Sequence, residues 1–164
     1  MDTFTLVMGY RYSMGAIARE AGDENLPLIQ RPDQWKGQPG THAPHIVLER
    51  EGRPTSTRDL FGPRFVLLVG PQGQQWKDAA HSTKEALHFP LDIYQIGGDA
   101  ADLIDASNTF CDAYGIDTAG AVLVRPDGFI GWRSRVAGEK GQDAEQALTQ
   151  VLSTLLFNGK SNKE

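Results

Sequence analysis

A single cysteine, Cys111, occurs in 164 residues. An internal disulfide is therefore excluded, and so is the Cys-x-x-Cys pair on which dithiol redox chemistry depends; an unpaired thiol suits a reducing compartment. The chain also lacks Gly-x-Gly-x-x-Gly, which removes the phosphate-cradling turn of a dinucleotide fold, and it lacks the Gly-x-Ser-x-Gly elbow of a serine hydrolase. No apolar run approaches the roughly 18 residues of a membrane-spanning helix, and Asp2 stands where a signal peptide carries basic residues. Basic residues are outnumbered, 16 against 21 acidic ones, giving a net charge of -5. That balance repels phosphate backbones and anionic membranes, so neither nucleic acid nor membrane is an expected partner, and a cytoplasmic location is expected.

What is present is an ordinary globular composition, 40% hydrophobic and 23% charged. Phe4, Leu6, Met8 and Tyr10 alternate with Thr3, Thr5, Val7 and Gly9, which predicts a strand. Residues 22–44 carry Pro27, Pro32, Pro39, Gly37 and Gly40, which predicts an extended connector between two bodies. An apolar run at residues 45–49, a turn at Glu51-Gly52, and the central strand Phe65 to Val69 follow. Trp76, Ala79, Ala80, Thr83 and Leu87 recur at helical spacing up to Pro90, and residues 91–96 form the next strand. A shorter helix is predicted from about Asp105 to Gly115. Residues 121–124 and 129–132 flank Pro126-Asp127-Gly128 as a hairpin, and Ala144, Ala147, Leu148, Val151, Leu152 and Leu155 form one helical stripe before a tail. The order β-β-α-β-α-β-β-α implies a mixed sheet with helices on both faces. Its predicted core is Leu67, Val69, Trp76, Ile96, Val122, Val124 and the Leu148 to Leu155 stripe.

The stretch from Gly115 to Arg133 resembles the closing segment of a thioredoxin-type domain. The expected fold class is α/β: a thioredoxin-like mixed sheet with helices on both faces, lacking the Cys-x-x-Cys and preceded by an N-terminal arm. The redox site is missing twice over. The central strand runs into Gly70-Pro71-Gln72-Gly73 without a thiol, and Ala119-Gly120 occupy the place of the proline that faces such a dithiol.

Other chemistries fare little better. His42 and His45 are three apart and His81 and His88 seven apart, but no cysteine or carboxylate cluster completes a tetrahedral metal set. Cys111 lies in a predicted helix without a neighbouring base to activate it. Gly98-Asp99-Ala100-Ala101 imitates the Gly-Asp motif that contacts FAD in flavin hydroxylases, yet Asp102-Leu103-Ile104-Asp105 follow instead of a glycine-rich helix start. No catalytic, cofactor-binding or metal residue is therefore expected in the chain.

Several spaced motifs converge on one family. Gly40-Thr41-His42-Ala43-Pro44-His45, Ser56-Thr57-Arg58-Asp59-Leu60-Phe61-Gly62, Phe65 through Pro71, and the Tyr114 to Arg133 stretch resemble the C-terminal domain of FAD-dependent aromatic hydroxylases of the phenol-hydroxylase and polyketide-hydroxylase type. The resemblance covers about residues 40–157. Residues 9–17, Gly-Tyr-Arg-Tyr-Ser-Met-Gly-Ala-Ile, resemble the end of the preceding substrate domain. One departure is His42, where family members often carry arginine before the Ala-Pro-His motif.

The resemblance implies residues 1–39 as arm and connector, 40–157 as the thioredoxin-like domain, and 158–164 as a tail. It further implies a non-catalytic structural or assembly domain, with FAD held only by the catalytic part of a full-length hydroxylase. The expected partner is a second copy in a homodimer or a flavin-binding hydroxylase subunit. Alternatives of other classes are a small aromatic-ligand binder built on the aromatic arm and a degenerate thioredoxin-like oxidoreductase. Tyr10, Arg11, Tyr12, His42 and His45 are the candidate interaction residues.

Overall fold

In a computed structural model, residues 3–11, 17, 18, 20–136 and 143–160 are described. The elements are α1 (Thr3–Met8), β1 (Val47–Arg50), β2 (Arg53–Ser56), α2 (Thr57–Leu60), β3 (Phe65–Val69), α3 (Gln74–Leu87), β4 (Leu91–Gln95), α4 (Phe110–Tyr114), β5 (Ala121–Val124), β6 (Ile130–Ser134) and α5 (Ala144–Lys160). Four strands form one sheet in the order β4-β3-β5-β6. β3 and β4 are parallel, joined by the crossover helix α3, whereas β5 and β6 run antiparallel to their neighbours. The hairpin of β1 and β2 forms a separate two-stranded sheet. Its turn needs two left-handed residues, and Glu51 and Gly52 supply φ values of 50° and 77°.

Because β3 and β5 are apolar at every position, both faces of the sheet are buried. Leu67, Val69, Ala121 and Leu123 face α3 and α5, where they meet Trp76, Ala80, Leu148, Leu152 and Leu155. Val66, Leu68, Val122 and Val124 face the other way, against Ile96, Leu103, Phe110, Tyr114, Leu48 and Leu60. All the predicted core side chains are buried except Val151, which is half-buried, but they divide between two cores on opposite sides of the sheet.

Three local expectations need correction. Thr3–Met8 is helical rather than a strand. The carbonyl of Gly9, just past the helix end, accepts from the Trp35 indole Nε1 at 2.9 Å and from the Gln30 amide at 3.0 Å, so partners distant in sequence satisfy the chain where it leaves α1. α4 starts at Phe110, not near Asp105. Asn108 adopts a left-handed φ of 52°, which ends any continuous helix, and Asp105 instead accepts from the Phe110 amide at 2.8 Å. At the other end of the chain, α5 runs to Lys160, three residues into the tail expected at 158–164.

The connector is not an open tether. Residues 40–43 run antiparallel beside β6: Gly40 donates to Ile130, Ile130 to Thr41, and Ala43 to Gly128, at 2.7–2.9 Å. This pairing covers the start of the β6 edge, which would otherwise present unpaired backbone groups. Two short 3-10 turns, Asp23–Asn25 and Pro32–Gln34, interrupt the rest, and the chain before them reaches β6 where the Ala18 amide donates to the Gly131 carbonyl at 2.7 Å.

Candidate functional site

The strand-like segment beside β6 sets the position of His42. Backbone pairing with Phe129 brings the two rings together, with centroids 3.9 Å apart. Beyond it the chain is pinned at Pro44, whose carbonyl accepts from Tyr114 Oη at 2.7 Å and Thr57 Oγ1 at 3.0 Å. Burial drives the Tyr114 phenol far above its ordinary pKa, so it stays a neutral donor. Arg58 is carried by α2, a single turn held by a reciprocal cap: Ser56 Oγ accepts from the Arg58 amide and Asp59 from the Ser56 amide.

These segments enclose an open cavity of about 420 Å³. Met8, Pro32, Trp35, Pro44 and Ala113 supply apolar wall, and Lys36, His42, His45, Arg58 and Asp33 supply polar groups. His42 is half-buried, and that burial holds its imidazole below the ordinary value despite a hydrogen bond to the Val7 backbone and the Asp127 carboxylate, while Arg58 pushes the same way as burial. His45 is exposed at the rim.

Of the five residues singled out in the sequence, the cavity thus brings together His42 and His45. Arg11 points elsewhere. It is 4% exposed, and its guanidinium donates to the carbonyls of Asp23 at 3.1 Å, Leu26 at 3.2 Å and Pro27 at 3.4 Å, tying the arm to its own loop. Tyr10 is half-buried and bridges to Ile29, and Tyr12 lies outside the described residues. Sequence reasoning passed over Trp35, Lys36 and Arg58. A tryptophan inside a polar, proline-rich connector is a docking signal in its own right, since such a ring needs cover.

Elsewhere the chemistry is closed. Backbone bonds from Gly70 to Gly120 and from Gln72 to Thr118 stitch the loop after β3 to the chain leading into β5. A Cβ on Gly70 would stand 2.3 Å from the Thr118 carbonyl oxygen, and one on Gly73 2.4 Å from Val69 Cγ1. Burial, with Asp105 and Asp117, raises the Cys111 thiol above its ordinary pKa, which opposes nucleophilic use. Among the described residues no group of three or more metal-ligating side chains assembles. At Gly98, φ 82°, an added Cβ would lie 2.6 Å from the Pro71 carbonyl oxygen, so this glycine packs closely on its own chain. No helix among the described residues is long and apolar enough to cross a membrane.

Residues 36–156 match the family described as aromatic-ring hydroxylase, C-terminal. The chain is 40% identical over 158 residues to a 4-methyl-5-nitrocatechol 5-monooxygenase from a Burkholderia species, a match that covers 95% of this chain and 28% of the relative. It is 37% identical over 150 residues to an aklavinone 12-hydroxylase of Streptomyces purpurascens, covering 92% of this chain and 26% of the relative. A crystal structure of aklavinone-11 hydroxylase with FAD and aklavinone superposes with a TM-score of 0.86 at 35% identity, over 96% of this chain and 28% of that one. The chain thus spans little more than a quarter of the length of the relatives it matches. It belongs to the aromatic-ring hydroxylase C-terminal family.

Proposed function

We propose that this chain is a non-catalytic assembly module of a flavin-dependent aromatic hydroxylase, acting through its surface on a flavin-binding body. The carrying observation is that the chain matches only the C-terminal share of enzymes that act on aromatic rings. FAD is then held by the flavin-binding body, and a reducing cytoplasm suits the lone thiol of Cys111. The strand order β4-β3-β5-β6, with one parallel pair, supports a thioredoxin-like ancestry whose redox loop has been filled by backbone packing. Residues 1–39 are read as arm and connector, 40–157 as the module and 158–164 as a tail whose first three residues continue α5. We read the contact region as the cavity rim around His42 and His45 together with Tyr10 of the arm; Arg11 serves the arm internally.

The test is co-expression with the flavin-binding part of a hydroxylase of this kind, followed by gel filtration and flavin absorbance. Co-elution with the yellow colour confined to the complex is expected, and the chain alone should be colourless. Separate elution, or near-stoichiometric flavin on the chain alone, overturns the reading. Self-association without affinity for the flavin-binding part would replace it with a homodimer.

A further inference from the structure

We propose that the cavity between α1, the His42–His45 segment, α2 and α4 binds a small organic carboxylate with an apolar body. The inference deepens the preceding reading by naming the chemistry that the same site accepts. Its location rests on that reading, and its test does not.

Charge gives the first argument. The protein as a whole is acidic, yet the charged lining of this cavity consists of Lys36 and Arg58 against the single carboxylate of Asp33, with His42 and His45 as further polar rings. Asp33 pairs with Arg31 at 3.3 Å, an exposed contact (71% and 68%), so its carboxylate still counts against the two cations, which outnumber it by one. Arg58 pairs with no carboxylate among the described residues, and Lys36 reaches only Asp112, at 3.5 Å, with both side chains more than half exposed. An exposed pair of that kind is weak and exchanges readily for a better anion. A guanidinium offers paired donors that match a carboxylate, and an ammonium adds a point charge beside it.

Shape gives the second. A volume of about 420 Å³ falls within the range of small-molecule sites, which combine apolar walls with a few convergent polar groups. Here Met8, Trp35, Pro44 and Ala113 form such walls. Trp35 cannot swing out to fill the space, because its indole is fixed on the Gly9 carbonyl, and the His42 ring is held against Phe129. The cavity is thus built by side chains that are already restrained, which lowers the ordering cost of binding. A bare anion would leave the apolar wall wet, and an uncharged ring would leave Arg58 without a counter-ion.

The experiment titrates the 164-residue chain with benzoate, cyclohexanecarboxylate, acetate, inorganic phosphate and benzyl alcohol, following the Trp35 indole resonance by NMR and heat by calorimetry. The two apolar carboxylates should saturate one site at least tenfold more tightly than the other three probes. Arg58→Ala with Lys36→Ala should weaken them at least tenfold with an unchanged melting temperature, and Arg58→Lys should recover part of the affinity. Equal binding of acetate, phosphate or benzyl alcohol overturns the proposal, as does the absence of saturation or indifference to the double variant. Saturable benzoate binding without association to a flavin-binding body would sink the assembly reading alone. Association without probe binding would sink this one alone.

Discussion

Glu20 and Arg133, separated by 113 residues, form a two-pronged ion pair, with Nε to Oε1 at 2.6 Å and Nη2 to Oε2 at 2.9 Å. The Arg133 side chain is 1% exposed. Its remaining nitrogen, Nη1, donates to the carbonyls of Lys36 and Tyr114, so one guanidinium ties the arm, the connector and the end of α4 to β6.

Glu20→Ala should therefore destabilise the chain by about 3–5 kcal/mol, because it leaves a buried guanidinium without its carboxylate. Arg133→Lys should also lose stability, since an ammonium cannot reproduce the fork. Urea unfolding measures both. Deleting residues 1–20 removes the same carboxylate, and the deletion should melt well below the full chain. A deletion that melts with the parent would show that the clamp carries no stability.

Leu67→Ala should cost about 2–5 kcal/mol, the range for truncating a buried large aliphatic side chain. Leu67 is 0% exposed on the central strand. Thermal melting within a degree of the parent would contradict its place in the core.

Gly70→Ala should be severely destabilising, because its Cβ would meet the Thr118 oxygen at 2.3 Å. The same geometry means that cysteines placed at positions 70 and 73 should fail to build a working dithiol. Gly62→Ala is the control: nothing lies within 4 Å of its Cβ position, and it should be neutral or stabilising by up to about 1 kcal/mol. Parallel denaturation curves of the two alanine variants decide the matter.

His42 makes stability depend on pH in a stated direction. Burial lowers its folded-state pKa, so the unfolded chain takes up the proton first as pH falls. The contribution is fully present above the ordinary imidazole value of about 6.5, declines as pH drops through it, and levels off below the folded value. Melting temperatures from about pH 7.5 to about 5 should fall more for the parent than for His42→Gln. Identical profiles would place the pH dependence elsewhere.

Much of the architecture is written locally. The all-apolar β3 and β5 strands, the Leu148 to Leu155 stripe and the left-handed Gly115 that ends α4 each declare their element by pattern alone, because burial period and turn chemistry act over a few residues. α1 was different: six residues, Thr3–Met8, are too few for periodicity to separate helix from strand, and contacts from Trp35 and Gln30 to Gly9 fix where it ends.

The site was legible only in part. His42 and His45 stood out as residue types in a motif, but nothing local joins them to Trp35, Lys36 or Arg58, and nothing local diverts Arg11 into its own loop. One signal was available: Arg133 sits opposite Val122 on a core-facing strand position, where a charge requires a buried partner. Its partner, Glu20, could not be identified, since which carboxylate reaches it is decided by the path of the folded connector. Most of the elements, the family and the missing dithiol follow from residue identity and short-range order. That arm and sheet close on each other around the buried Arg133 and leave an apolar-walled cavity with Lys36 and Arg58 in its lining depends instead on side chains far apart in the chain meeting out of water.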